Sequence, residues 1–260
     1  MPSEIVRQQT PEEAELLRKR EELSSVRAEL ADRELELADL RAQLKSFEGH
    51  YLRQVGVLYA EFDEWEARIA ELEASLNPAP AAQQHAKQAR KQADEAREAT
   101  HGEASQVQDF RPSADLKRLF REVAKRIHPD FAKDDTDRQR RTRQMAKANE
   151  AYGRSDAEAL QRILDDYQES SESVQGEGIG VELIRIIRQI HQARKNIVTL
   201  EEELNRLSSG ELSQLRRDTE AARKEGVDLL AQLATKLEGK IAQRRKEHET
   251  LVREARAHGR

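Results

Sequence analysis

His128-Pro129-Asp130 is the stretch of this chain whose residue types and spacing most invite chemistry. It ends a run rich in cations: Lys117, Arg118, Arg121, Lys125 and Arg126. Lys117, Arg121 and Lys125 are spaced i, i+4, i+8, so a helix aligns them as one charged stripe. The chemistry on offer is recognition through charge and a stiff corner. The tripeptide alone also describes an ordinary helix end: a His complements the dipole of the last turn, a Pro stops the helix and an Asp caps the turn. The stripe alone is equally a solvated face. No catalytic arrangement competes with this site. His50, His85, His101, His191, His248 and His258 are scattered without metal-ligand spacing, and neither a glycine-rich phosphate loop nor a Ser/His/Asp arrangement occurs. The expectation is a binding protein that is not an enzyme and takes no metal or cofactor.

The elements that must position the corner can be read around it. Ser113-Ala114-Asp115 caps a helix whose apolar face is Leu116, Leu119, Phe120, Val123, Ala124 and Ile127. Pro129 forces that helix to stop near His128. Phe131 to Asp137 reads as a polar, Asp-rich loop. A second helix runs from about Arg138 to Tyr152 with Met145, Ala148 and Tyr152 on one face, and Gly153 ends it. A third, Asp156 to Tyr167, starts at the Ser155-Asp156 cap and offers Leu160, Ile163 and Leu164. The unit is small and marginal by itself. For the Arg-rich start of the second helix (Arg138, Arg140, Arg141, Arg143), solvation and phosphate contact are balanced alternatives.

The run from Asp115 to Asp130, DLKRLFREVAKRIHPD, resembles the second helix and loop of the J domain of DnaJ-type co-chaperones. Asn149-Glu150-Ala151-Tyr152 resembles the ending of that family's third helix, and Met145 and Ala148 fall where the family has core residues. The resemblance covers about Asp115 to Tyr152. It implies that His128, Pro129 and Asp130 are the trigger that stimulates ATP hydrolysis by a DnaK-type chaperone. It also implies that Lys117, Arg118, Arg121, Lys125 and Arg126 dock on an acidic surface of that partner, where charge complementarity sets encounter rate and orientation. The family's first helix has no counterpart before Ser113, where Val107 and Phe110 are the apolar residues available. Asp156 to Tyr167 is expected to supply apolar cover in its place.

Two long helical arms flank this unit. The first, residues 11–76, has the seam Leu16, Lys19, Leu23, Val26, Leu30, Arg33, Leu37, Leu40, Leu44 and Phe47, with spacings alternating three and four. An eleven-residue step from Phe47 to Leu58 interrupts the alternation and predicts a locally unwound stutter. Phe47, Tyr51, Phe62 and Trp65 fall on the seam, whereas Tyr59 does not and is the better candidate for a second contact. Residues 77–112 read as a polar linker or polar helix without a face to bury. Residues 169–180 read as a flexible Ser/Gly joint. The second arm, residues 181–255, places Leu183, Ile187, Ile190, Ile197, Leu200, Leu204 and Leu207 at apolar positions, with Ser208-Ser209-Gly210 as a kink and Gly226 and Gly239 as further weak points. Charged seam positions such as Lys19, Arg33 and Arg194 restrict the register.

Composition agrees with this organisation. Charged residues make up 37% of the 260 and aromatics 4%, the balance of long solvated helices and not of a sheet-rich enzyme. The absence of cysteine excludes disulfides, thiolate metal sites and a cysteine nucleophile. The net charge of −5 argues against a bulk nucleic-acid binder. Residues 111–154 nevertheless hold 13 Lys/Arg against 7 Asp/Glu, a local +6 that leaves −11 elsewhere. The N-terminus lacks a basic stretch followed by an apolar one, and the longest mostly apolar run, Val181 to Ile190, is broken by Glu182, Arg185 and Arg188. The chain is therefore expected to be an all-α, cytoplasmic protein without a membrane segment: two coiled-coil arms flanking a small J-like helical domain, residues 113–168. The resemblance makes a DnaK-type chaperone the partner, with the arms binding a client or complex, or pairing with a second copy. The alternative is a non-catalytic coiled-coil scaffold whose J-like unit is degenerate.

Overall fold

A computed structural model describes residues 10–103, 110–169 and 178–258. Among them every element is helical. In chain order these are α1 (Pro11–Tyr51), a π turn (Leu52–Gly56), α2 (Val57–Leu76), α3 (Pro80–Glu103), α4 (Ala114–Ile127), a 3-10 turn (Pro129–Phe131), α5 (Asp135–Gly153), α6 (Ala157–Glu169), α7 (Ile179–Ser209), α8 (Glu211–Lys224) and α9 (Leu229–His258). No helix is long and apolar enough to cross a membrane, among the described residues. The chain divides into two compact units, Met1–Gln43 with Phe110–Ser209, and Leu44–Asp109 with Gly210–Arg260.

The first unit holds the corner and has two apolar clusters. Its helices begin and end where local chemistry dictates. Ser113 Oγ accepts the Leu116 amide at 3.1 Å and starts α4, and Pro129 stops it. Asp134 caps α5 by accepting the Asp137 amide at 2.8 Å, and Asp156 starts α6 by accepting that of Ala159 at 2.9 Å. One cluster joins Leu116, Phe120, Val123, Ala124 and Ile127 of α4 to Met145, Ala148, Ala151 and Tyr152 of α5 and to Leu160 and Leu164 of α6. Phe120 and Phe110 pack on the Tyr152 ring with centroids 4.8 and 5.5 Å away. The expected apolar cover from Asp156 to Tyr167 is thus present. It is completed by Ala31, Leu35 and Ala38, a second face of α1 beside its heptad row. Val107 lies outside the described residues.

The other cluster joins Leu16, Leu23, Val26 and Leu30 of α1 to Ile186, Ile190, Ala193 and Ile197 of α7, flanked by Leu183 and Leu200. The α7 row 183, 186, 190, 193, 197, 200 alternates three and four. The two helices run parallel, since Arg20 pairs with Glu182, Arg33 with Glu201 and Arg41 with Glu203. Arg194 reaches Glu22 at 2.7 Å, so Arg33 and Arg194 do bridge the pair, whereas Lys19 bonds Glu22 of its own helix. Ile187, assigned to the seam from sequence, is 46% exposed, and Ile186 takes the inward position. An offset of one residue turns a helical side chain by about 100°, which separates the two isoleucines.

In the second unit α2 and α3 form a hairpin through residues 77–79, and α2 also packs on α9. Of the two alternatives for 77–112, residues 80–103 take the polar helix, but the expectation that it has no face to bury is corrected. Ala86 and Ala93, seven residues apart, bury against α2, and Arg90 binds Glu64 and Glu71, each at 2.7 Å. Small side chains let the backbones approach, so a helix with almost no large apolar residue still acquires a packed face. The predicted stutter contains the π turn at Leu52–Gly56, with Val55 and Gly56 buried. Trp65 stacks edge-on against His248 at 5.6 Å, while Tyr59 is 47% exposed. The second arm breaks at Gly210 as expected, and again at Glu225–Asp228, where Gly226 has φ +80°. Residues 170–177 of the expected Ser/Gly joint lie outside the described residues.

Candidate partner-binding corner

The corner is built by α4 running into Pro129. The His128 amide still bonds Ala124 O at 3.1 Å, but its ψ of 134° takes the backbone out of the helix. Its Nδ1 accepts the Asp130 amide at 3.1 Å. That leaves Nε2 to carry the proton in the neutral ring and to donate to Glu34 Oε1 at 3.3 Å. Asp130 receives both contacts of the Asn196 amide, Nδ2 lying 2.6 and 2.7 Å from its two oxygens. Burial pushes the Asp130 carboxyl above the usual carboxylate range, and His128 and Asn196 oppose that rise.

The corner is covered. The His128 and Asp130 side chains are 6% and 8% exposed. Phe131, read from sequence as part of a polar loop, is buried in the α1–α7 cluster, with the Arg27 guanidinium 4.3 Å from its ring centroid. An aromatic ring cannot remain in water beside an apolar seam without cost, and the short 3-10 turn swings it there. This was the one signal in an otherwise polar loop.

The cations divide into three groups. Lys117 and Arg121, expected to be exposed, are instead half-buried under α1: Lys117 meets Asp39 at 3.0 Å and Arg121 meets Asp32 at 2.6 Å. Arg118 is exposed and pairs with Asp115 of its own helix, and Lys125 pairs with Glu122. Arg126 is half-buried, and its carbonyl accepts Nη1 of Arg141 at 2.7 Å. The stripe geometry exists, but α1 already binds two of its three members.

Arg141 braces the corner from below. It is 4% exposed and uses Nε on Asp137 at 2.8 Å, Nη1 on Arg126 O and Nη2 on Tyr167 Oη at 2.8 Å. For this residue neither solvation nor phosphate contact applies. It ties α5 to the last turn of α4 and to α6. Arg138 and Arg140 pair with Asp135 and Asp137, and Arg143 is exposed. Burial would raise the Asp137 carboxyl, but bonds from Arg141, Arg140 and the Lys133 amide bring it down to about 2. Tyr152, at the end of α5, donates to Asp39 Oδ1 at 3.1 Å, so Asp39 accepts from Tyr152 and Lys117 together.

Sequence reasoning missed Asp32, Glu34, Asp39, Phe131 and Asn196. No group of three or more His, Cys, Asp or Glu among the described residues could hold a metal ion. No protein-family model, curated protein or solved structure matches the chain.

Proposed function

We propose that this chain is a J-type co-chaperone that stimulates ATP hydrolysis by a DnaK-type chaperone and does no bond chemistry itself. One observation supports it above the others. His128, Pro129 and Asp130 form a stiff turn after a cationic helix, its shape fixed by the His128 Nδ1 bond to the Asp130 amide and by Arg141 on the Arg126 carbonyl. On this reading the rate gain arises in the partner's nucleotide site. The corner contributes orientation, and Lys117, Arg118, Arg121, Lys125 and Arg126 contribute charge complementary to an acidic surface. The arms hold a client or a complex, and the cytoplasm is the compartment implied.

The test is a steady-state ATPase assay with a DnaK-type chaperone. Stimulation that His128→Gln removes, with helicity unchanged, supports the reading. Absence of stimulation both by the wild type and by a variant with the corner uncovered ends it.

The burial of His128 and Asp130 favours a second reading, a helical scaffold whose J-like unit is degenerate. The corner then serves as an internal joint. His128→Gln would leave any partner ATPase untouched, while Leu30→Lys would disrupt the α1–α7 seam of the scaffold itself.

A further inference from the structure

Four residues that would face a partner are bound by the chain's own helices. Asp39 and Asp32 of α1 hold Lys117 and Arg121, Glu34 of α1 faces His128, and Asn196 of α7 holds Asp130. Asp32 and Asp39 on one side of the α1 row Ala31, Leu35 and Ala38, and Glu34 on the other, thus meet the corner with carboxylates, the charge that the cations would seek in another protein. Phe131 sits in the seam between the two helices.

We propose that α1 and α7 form a releasable cover over the corner, closed in this structure, and that an acidic surface competing for Lys117 and Arg121 opens it. The consequence for ATPase stimulation rests on the co-chaperone reading; the cover itself does not. The contacts suit release. The apolar anchoring of α1 on the three-helix unit comes from Ala31, Leu35 and Ala38, two of them alanines, and on the corner from Phe131, which must leave the α1–α7 seam when the cover opens. The Arg121 and Asp32 side chains are 43% and 53% exposed, so solvent and salt screen their attraction. The α4–α5–α6 cluster keeps its own interior, in Phe120, Val123, Ile127, Ala148, Tyr152 and Leu160. Lifting the cover exposes the corner while α4, α5 and α6 stay joined through this interior.

The full chain tests this by diethylpyrocarbonate modification, read residue by residue with mass spectrometry. His85 and His191 are exposed and serve as internal references. His128 in the wild type is expected to react at least about tenfold more slowly than they do, the protection a closed local state confers. Glu34→Ala with Asn196→Ala should recover about tenfold in rate. A second arm joins Asp32→Cys to Arg121→Cys with a short bis-maleimide in a chain that has no other cysteine; it should suppress the residual His128 reactivity. That arm decides the matter if the double variant loses helicity. The proposal is overturned if wild-type His128 reacts like His85, if a folded double variant stays protected, or if cross-linking leaves the His128 rate unchanged. Reactivity that rises without any gain in ATPase stimulation upholds the cover and removes the co-chaperone reading, so the two failures are distinguishable.

Discussion

Asn196 points its side-chain amide at both oxygens of Asp130, 66 residues earlier in the chain, at 2.6 and 2.7 Å. This bond fixes the carboxylate of the corner to α7. It also partly offsets what burial does to that carboxylate. Replacing Asn196 by Ala should cost about 1–3 kcal/mol at neutral pH, because a buried acceptor loses its donor. The sign of the pH dependence follows from the raised Asp130 pKa. A carboxyl that binds its proton more tightly folded than unfolded destabilises the fold above its folded pKa. That penalty disappears as pH falls below the ordinary carboxylate value. The deficit of Asn196→Ala should therefore be larger at pH 7 than at pH 4. Urea unfolding at the two values measures it, and an equal deficit at both would refute the assignment.

Asp137 predicts the opposite slope. Its folded pKa of about 2 lies below the ordinary aspartate value of about 3.8, so its contribution is complete above pH 4 and fades as pH falls toward 2. Asp137→Asn leaves the buried Arg141 with its bonds to Arg126 O and Tyr167 but without its counter-charge. A loss of about 3 kcal/mol at pH 7 is expected. Acid titration followed by circular dichroism should show that the variant has lost the part of the transition between pH 4 and 2.

Phe131→Ala removes a ring that is 5% exposed and lies in the α1–α7 cluster. Loss of a buried aromatic of this kind costs about 3–5 kcal/mol where the site cannot collapse. The same substitution at Tyr59, which is 47% exposed, should change stability by no more than about 0.5 kcal/mol. Thermal or urea unfolding of the two variants side by side makes the comparison.

Asp32 and Asp39 both face α4 from α1, yet they should not weigh the same. The Asp32–Arg121 pair is open to solvent, and Asp32→Asn should cost about 0–1 kcal/mol, less in high salt. Asp39 is 18% exposed and accepts from Tyr152 Oη as well as Lys117 Nζ. Asp39→Asn should cost about 2 kcal/mol and respond weakly to salt. Unfolding at 50 mM and 500 mM NaCl separates them, and equal costs at both positions would contradict the geometry.

What was legible in the sequence was local. The α4 face could be read from spacing because Leu116, Phe120, Val123, Ala124 and Ile127 are large or tightly placed and all point one way. Ser113, Pro129 and Asp156 announced helix ends because each acts on a backbone group within three residues. The stutter could be seen because a π turn adds a residue to the periodic row. Long-range relations were not legible. Ala31, Leu35 and Ala38 lie beside a stronger heptad row on the same helix, and alanine gives little contrast on a helical wheel. Glu34 and Asn196 are 94 and 66 residues from their partners, and no periodicity marks a single polar side chain as the mate of another. Ile186 and Ile187 are adjacent and identical, and the row through Ile186 is marked off from the one through Ile187 by Ala193 against Arg194, an alanine that gives little contrast.

The parallel pairing of α1 with α7 has a consequence during synthesis. Leu16 must wait until Ile186 has been made before it can be covered, a separation of 170 residues from their positions in the chain. At about 5–20 residues per second that is roughly ten to thirty seconds of an apolar stripe open to the ribosome's surroundings. In that interval a stripe of the same kind on a neighbouring nascent copy is a competitor, so crowding many copies on one message would favour tangled products over correctly closed ones.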